Sequence, residues 1–84
     1  MTDFATIQDI VDLWRSMTPD ETNRATALLP IISDNLRVEA DKVGKDLDQM
    51  VAESETYTNV VKSVVVDIVA RTLMTSTNQE PMTQ

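Results

Sequence analysis

The sequence contains no cysteine and no histidine, and these two absences exclude several kinds of chemistry. Without cysteine the chain forms no disulfide and offers no thiol nucleophile, and without histidine it lacks the usual imidazole base. Zinc and haem sites lose their commonest ligands for the same reason. A single glycine excludes the glycine-rich loops that hold phosphates. One Phe, one Trp and one Tyr are too few to form a surface on which nucleic-acid bases stack.

Basic residues are also scarce, since 14 acidic and 7 basic side chains give the 84 residues a net charge of −7. The basic residues are scattered, and only Lys42 and Lys45 lie close together, so the sequence predicts no nucleic-acid recognition. The acidic balance disfavours anionic membrane surfaces. Lys62, Asp67 and Arg71 interrupt the most apolar segment, which therefore does not read as a membrane span. We also find no secretory signal and expect a cytoplasmic site of synthesis.

The composition predicts one compact domain with a limited core. Apolar residues make up 42% and charged residues 25% of the chain, which is typical of globular proteins. We expect a single helical domain over residues 1–75 and a flexible C-terminal tail over residues 76–84, where the sequence turns polar and loses its periodicity. A chain of this size leaves much of its surface exposed, so partners or self-association are expected to complete its stability.

A hydroxyl cap followed by an acid predicts the first helix. Thr6 is followed three residues later by Asp9, as at the start of a helix. Apolar residues then recur at helical spacing as far as Trp14, which we expect to lie in the core. The pattern predicts a short helix over about residues 7–15.

The second helix has the strongest start signal in the chain. Thr18 is a cap, Pro19 suits the first helical position, and Glu21 stands where a capping-box side chain reaches back. The helix is expected to span residues 19–43, with Gly44 as a left-handed stop. Its inward face carries apolar residues at spacings of three and four: Ala25, Leu28, Leu29, Ile32 and Leu36.

Pro30 lies in the middle of this pattern and allows two interpretations. A proline inside a helix removes one backbone hydrogen bond and clashes with the preceding turn. Either the helix kinks near Pro30 or it breaks and a new helix begins there. Because the apolar register continues across Pro30, we favour one kinked helix.

Two further helical segments complete an all-α fold. Asp46 is expected to cap a short helical turn near residues 46–52. A calcium loop starting there is excluded, because the sixth position lacks glycine and the twelfth is Tyr57. The last helix is predicted over residues 56–75. The fold class is therefore a small helical bundle of three main helices (about 7–15, 19–43 and 56–75) plus the short turn.

The last helix carries an unusually wide apolar arc, from Val60 through Val66, over roughly two thirds of its circumference. A helix this apolar is either surrounded by the other helices or partly covered by a neighbouring subunit. We assign most of the arc, with Tyr57, to the core. At its edge, Val66 and Leu73 are equally compatible with a subunit contact.

No catalytic arrangement is found in the sequence. Lys62 and Ser63 are adjacent, and neighbours on a helix point about 100° apart, so they do not form a nucleophile–base pair. The acid pairs Asp9 with Asp12 and Glu53 with Glu55 are predicted on outward faces, where carboxylates are usually solvated. We therefore expect a protein that is not an enzyme, with no catalytic, cofactor-binding or metal-binding residues.

The order of the sequence patterns resembles the head-completion, or head-to-tail connector, proteins of long-tailed phages. The resemblance covers about residues 4–75. The segments that carry it are ATIQDI at 5–10, WR at 14–15, MTPDE at 17–21, RATALL at 24–29, NLR at 35–37 and the valine-rich stretch at 60–73.

The resemblance implies a virion structural protein that is assembled in the host cytoplasm. Members of the family form rings under the portal, carry DNA through a central channel and offer a surface to the next connector or tail component. The implied partners are thus further copies of the chain, the portal protein and the next component, without cofactors. Pro30 departs from the unbroken helix of the family. Family members commonly continue into an irregular C-terminal segment, so we expect this chain to be an incomplete copy.

Two other functions remain open at this point. The excess acid and the compact helices are also compatible with an acidic helical binding module, or small regulator, that occupies a basic surface on a partner. The acid pairs leave a metal-dependent enzyme as a third interpretation.

Overall fold

The computed structural model describes the backbone of residues 3–82 and the side chains of residues 3–75. This part of the chain is all-helical, which confirms the predicted fold class. It contains four helices. Three of them correspond to the predicted main helices, and the remaining one, which is third along the chain, corresponds to the predicted short turn. Their bounds are α1 (Ile7–Leu13), α2 (Pro19–Lys42), α3 (Leu47–Glu53) and α4 (Glu55–Met82).

The capping box predicted for α1 is present. The Thr6 hydroxyl accepts the Asp9 N–H at 3.1 Å, and the Asp9 carboxylate accepts the Thr6 N–H at 2.9 Å. The helix ends at Leu13, earlier than the predicted residue 15, because Trp14 has left the helical backbone conformation. The next residue, Arg15, donates a hydrogen bond to Glu21 in the first turn of α2.

α2 is one helix that passes through Pro30. The interpretation as a single helix is confirmed and the alternative of two helices is wrong, while the kink remains a prediction. Thr26, whose carbonyl loses its usual partner at Pro30, is exposed, as is the proline. Water can therefore reach this turn, which lowers the cost of the missing hydrogen bond.

Gly44 ends α2 as the sequence predicted, with a φ of 76°. The Lys45 N–H donates to the Ala40 carbonyl at 2.9 Å, and the Gly44 N–H donates to the Asp41 carbonyl at 3.0 Å. These two bonds form a Schellman motif, which satisfies carbonyls that the end of the helix leaves without partners.

α4 is longer than predicted, because it continues past residue 75 to Met82. Residues 76–80 contain neither glycine nor proline, so the sequence offers no local stop. At about 1.5 Å per residue the helix is about 42 Å long, close to the 46 Å length of the molecule. Of the predicted tail, residues 76–82 thus continue the helix, and residues 83–84 lie outside the described part of the chain.

The core is formed mainly between α2 and α4, with Ile10 of α1 completing it. The predicted inward face of α2 is confirmed, because three of its members are buried and Leu28 and Leu36 pack against them. Val66 and Leu73 are buried as well, so the chain itself covers this edge of the apolar arc. The buried residues are Ala5, Ile10, Ala25, Leu29, Ile32, Ser33, Val65, Val66, Val69, Ala70 and Leu73.

None of the helices in the described range combines the length and the apolar character that crossing a membrane requires.

Candidate assembly surfaces

Lys62 and Ser63, the adjacent pair considered for catalysis, each contact a different partner. Lys62 Nζ lies 3.7 Å from a carboxylate oxygen of Asp9, which links α4 to α1. The Ser63 hydroxyl donates to the Val60 carbonyl at 2.8 Å, one turn earlier in the same helix. The structure therefore does not bring Lys62 and Ser63 together as a nucleophile and its base.

The two acid pairs are not brought together as ion sites either. Asp9 belongs to the α1 cap, and Asp12 accepts a hydrogen bond from Gln8 at 2.8 Å. Glu53 and Glu55 are exposed at the junction of α3 and α4. Among the residues that the structure describes, no three side chains of metal-ligating type converge.

The described side chains include several large apolar residues that are exposed, and these define candidate surfaces for assembly. They lie on three of the four helices and at the end of α2. They are Leu13, Ile31, Val38, Val43, Tyr57, Val60, Val64 and Met74.

Tyr57, Val60 and Val64 form an exposed stripe, here termed the α4 outer face. Their side chains are 48%, 52% and 38% exposed. Spacings of three and four place them on one side of the helix, away from the buried Val65 and Val69. The assignment of Tyr57 to the core is therefore wrong. The wide apolar arc is real, but α2 and its neighbours cover only part of it.

Ile31 and Val38 form the α2 outer face. They are 57% and 54% exposed, and they are seven positions apart, so they lie on the same side of the helix. No role was predicted for these two residues from the sequence. Both residues fall outside the inward spacing of α2, and this was the signal that could have identified them as outward apolar residues.

A groove between α1 and α4 provides a third apolar surface, here termed the α1–α4 groove. Its volume is about 290 Å³. Half-buried Trp14 packs against the core at this point, while Leu13 is exposed at the end of α1. The lining residues are Leu13, Trp14, Ser63, Val66, Asp67 and Ala70.

The loop beside this groove is fixed by Arg15. Its guanidinium lies 3.9 Å from the centre of the Trp14 ring and donates two hydrogen bonds of 3.0 Å to Glu21. Glu21 also accepts the Thr18 N–H at 3.0 Å, in the capping box of α2. The bonds from Arg15 and from the Thr18 backbone lower the pKa of Glu21 to about 2. The carboxylate thus stays charged and holds both Arg15 and the start of α2.

The fourth surface is an acidic groove where the end of α2 meets α3. Its volume is about 820 Å³. Arg37 crosses it and donates to Asp48 at 2.9 Å and to Asp34 at 2.8 Å, and the bonds from Asp48 raise the pKa of Arg37 further above its usual value. The lining residues are Asp34, Arg37, Val38, Asp41, Gly44, Lys45, Asp46, Leu47 and Asp48.

Arg37 also fixes the N-terminal segment on this side of the molecule. Its guanidinium lies 4.3 Å from the centre of the Phe4 ring. The Phe4 N–H donates to the buried hydroxyl of Ser33 at 3.0 Å. Arg37 therefore joins the N-terminal segment, α2 and α3.

A comparison with known protein families identifies the family of this chain. The sequence profile of the phage protein family Gp19/Gp15/Gp42 matches residues 13–84. The chain belongs to this phage family. The matched range contains α2, α3 and α4 completely, and with them the α2 and α4 outer faces. No curated protein and no solved structure matches the chain.

The Gp19/Gp15/Gp42 match supports the phage origin expected from the resemblance. Its description names no step in head or tail assembly.

Proposed function

We propose that the chain is a virion structural protein, a head-to-tail connector subunit that assembles in a ring under the portal and links the DNA-filled head to the tail. Membership in the phage family and the order of the sequence motifs support this role. The role is structural, and neither catalysis nor a cofactor is part of it.

The observation that carries this proposal is the presence of two different apolar surfaces on one small subunit. A ring requires a heterologous contact, in which one surface of a subunit fits a different surface of its neighbour. The α2 outer face supplies exposed aliphatic side chains, Ile31 foremost, and the α1–α4 groove supplies a concave apolar surface. In the ring, Ile31 of one subunit enters the groove of the next.

The charge of the chain fits a ring that surrounds DNA without holding it. At a net charge of −7 the subunits repel one another and repel the phosphate backbone. The repulsion also opposes assembly of the free chain. We therefore propose that the portal is required to bring the subunits together.

The experiment is a mass measurement of the chain with and without the portal protein of the same phage, by light scattering after size exclusion. A discrete species of high mass is expected only in the mixture. Ile31→Lys should abolish this species, whereas Asn23→Lys, which adds the same charge at an exposed polar position near the start of α2 and off the α2 outer face, should leave it intact. A portal whose mass stays unchanged at high concentrations of the chain would refute the connector role.

The acidic groove favours a second candidate function, an acidic module that binds a basic partner. Four aspartates line the groove against two basic residues, and Arg37 is already paired within it. Asp41 is exposed there. A salt-sensitive one-to-one complex with a basic phage or host protein, weakened by Asp41→Asn, would favour this function over the ring.

A further inference from the structure

The side of α4 that carries the α4 outer face continues with charged residues beyond the three apolar ones. Their order along the helix is complementary to that of a second, antiparallel copy of the same helix. Two charged residues, Asp67 and Arg71, follow at the same alternating spacing, and their side chains form an ion pair of 2.9 Å within the helix. Positions 57, 60, 64, 67 and 71 thus follow steps of three and four. Two helices that pack side by side along a seam use this spacing.

One antiparallel register pairs these residues with suitable partners. In this register Val60 lies opposite Val64 of the second copy. The two-fold axis then places Val64 opposite Val60 of the second copy, so four valines, two from each copy, form the centre of the seam. The same register sets Tyr57 opposite Asp67 of the second copy, where a phenol can donate to a carboxylate. Arg71 then lies level with the acidic junction at Glu53.

A parallel pair lacks this complementarity. In register, a parallel seam sets Asp67 against Asp67 and Arg71 against Arg71, and like charges at facing positions repel. From the exposed valines and this charge order we infer that a second copy of the chain covers the α4 outer face, antiparallel and about a two-fold axis.

The pairing is weak, because the apolar area is small. Three exposed side chains per copy fall well short of the ~800 Å² per partner that a standard interface buries. The charge of −7 on each copy adds long-range repulsion. Salt screens this repulsion and leaves the contact between valines in place, so association should strengthen as the salt concentration rises.

A two-fold pair is closed and stops at two chains. It is a state of the free protein whose seam shares Asp67 with the α1–α4 groove of the ring, and it does not rest on the connector role.

Sedimentation equilibrium of the chain alone, over a concentration series at low and at high salt, tests the pairing. The mass should rise from 9.4 kDa towards twice that value, and further at high salt. Val60→Lys should keep the chain monomeric with unchanged helical circular dichroism. The matched control, Ile31→Lys, adds the same charge at an equally exposed aliphatic residue of α2 and should leave the pairing unchanged.

Engineered cysteines test the register, and the absence of native cysteine makes the result simple to interpret. Val60→Cys and Val64→Cys variants, one of them isotopically labelled, are mixed and mildly oxidised. Mass spectrometry should find the mixed disulfide several-fold above either homodimer, because residues 60 and 64 face each other only in the antiparallel register.

Three results would overturn the inference. These are a monomer at every concentration and salt, equal effects of Val60→Lys and Ile31→Lys, or a predominance of the Val64→Cys homodimer. Because the portal is absent from these measurements, their failure leaves the connector role untouched.

Discussion

At the scale of single residues, Ser33 is a polar side chain within an apolar core, and its hydroxyl accepts the N–H of Phe4. Ser33→Ala removes the acceptor while the segment around Phe4 is still partly buried. A donor left without its partner costs about 1–2 kcal/mol. We expect the free energy of unfolding to fall by about this amount in urea denaturation.

Ser63→Ala is the control for this substitution. The Ser63 hydroxyl bonds only within its own helix and is exposed, so its loss should change stability by less than about 0.5 kcal/mol. Equal effects at the two positions would show that the bond to Phe4 does not hold the N-terminal segment.

Glu21 makes stability depend on pH in acid. Its pKa is about 2 in the folded chain, mainly because of the hydrogen bonds from Arg15, against about 4.3 in an unfolded one. Its contribution to stability is fully present above the unfolded value and is lost as the pH falls from about 4 to about 2. Glu21→Gln keeps a capping-box residue but not the charge. Its melting temperature should therefore fall less over this window than that of the parent.

Glu39→Gln provides the comparison, because Glu39 pairs with Lys42 across an exposed helix surface. It should keep the acid dependence of the parent chain. A Glu21→Gln variant with the same pH profile as the parent would contradict the assigned role of Glu21.

At the scale of the element, the end of α2 depends on the left-handed conformation of Gly44. A Cβ added there meets no atom within 4 Å, so the cost of a side chain is backbone strain alone. Gly44→Ala should lower the free energy of unfolding by about 1–2 kcal/mol. Gly44→Asn should lower it less, since asparagine adopts this conformation more readily. Chemical denaturation of both variants checks the order, and an alanine variant as stable as the parent would refute it.

At the scale of the whole molecule, Arg37 joins three parts of the chain through Phe4, Asp34 and Asp48. Arg37→Lys keeps the charge but loses the fork that bonds two carboxylates at once. Both aspartates are partly exposed, which screens the ion pairs. The expected loss of stability is therefore about 1–2 kcal/mol, with faster amide exchange in α3.

Arg71→Lys is the matched control for Arg37. Arg71 bonds Asp67 within one exposed helix and ties no second element. Its replacement should change stability by less than about 0.5 kcal/mol. Unchanged exchange in α3 of the Arg37→Lys variant would show that the arginine does not hold α3 in place.

The starts of α1 and α2 and the end of α2 were determined by the sequence alone, because capping is local. The ends of α1 and α4 were not, since they lie at Leu13 and Met82 rather than at residues 15 and 75. The capping boxes at Thr6 and Thr18 need only residues three positions apart, and Gly44 stops α2 through its own backbone freedom. The inward face of α2 could also be predicted from the sequence, because its apolar residues form a single narrow stripe and only that stripe is buried. The phage resemblance, too, was carried by the order of local motifs.

The tertiary structure alone decided which part of the wide arc on α4 is covered. Val66 and Leu73 are buried, whereas Tyr57, Val60 and Val64 remain exposed. Helical periodicity states which residues share a face. It does not predict which part of a broad apolar arc the neighbouring helices cover, because that depends on packing between segments that are distant in the sequence. The α4 outer face is what this packing leaves uncovered, so no local pattern could have located it.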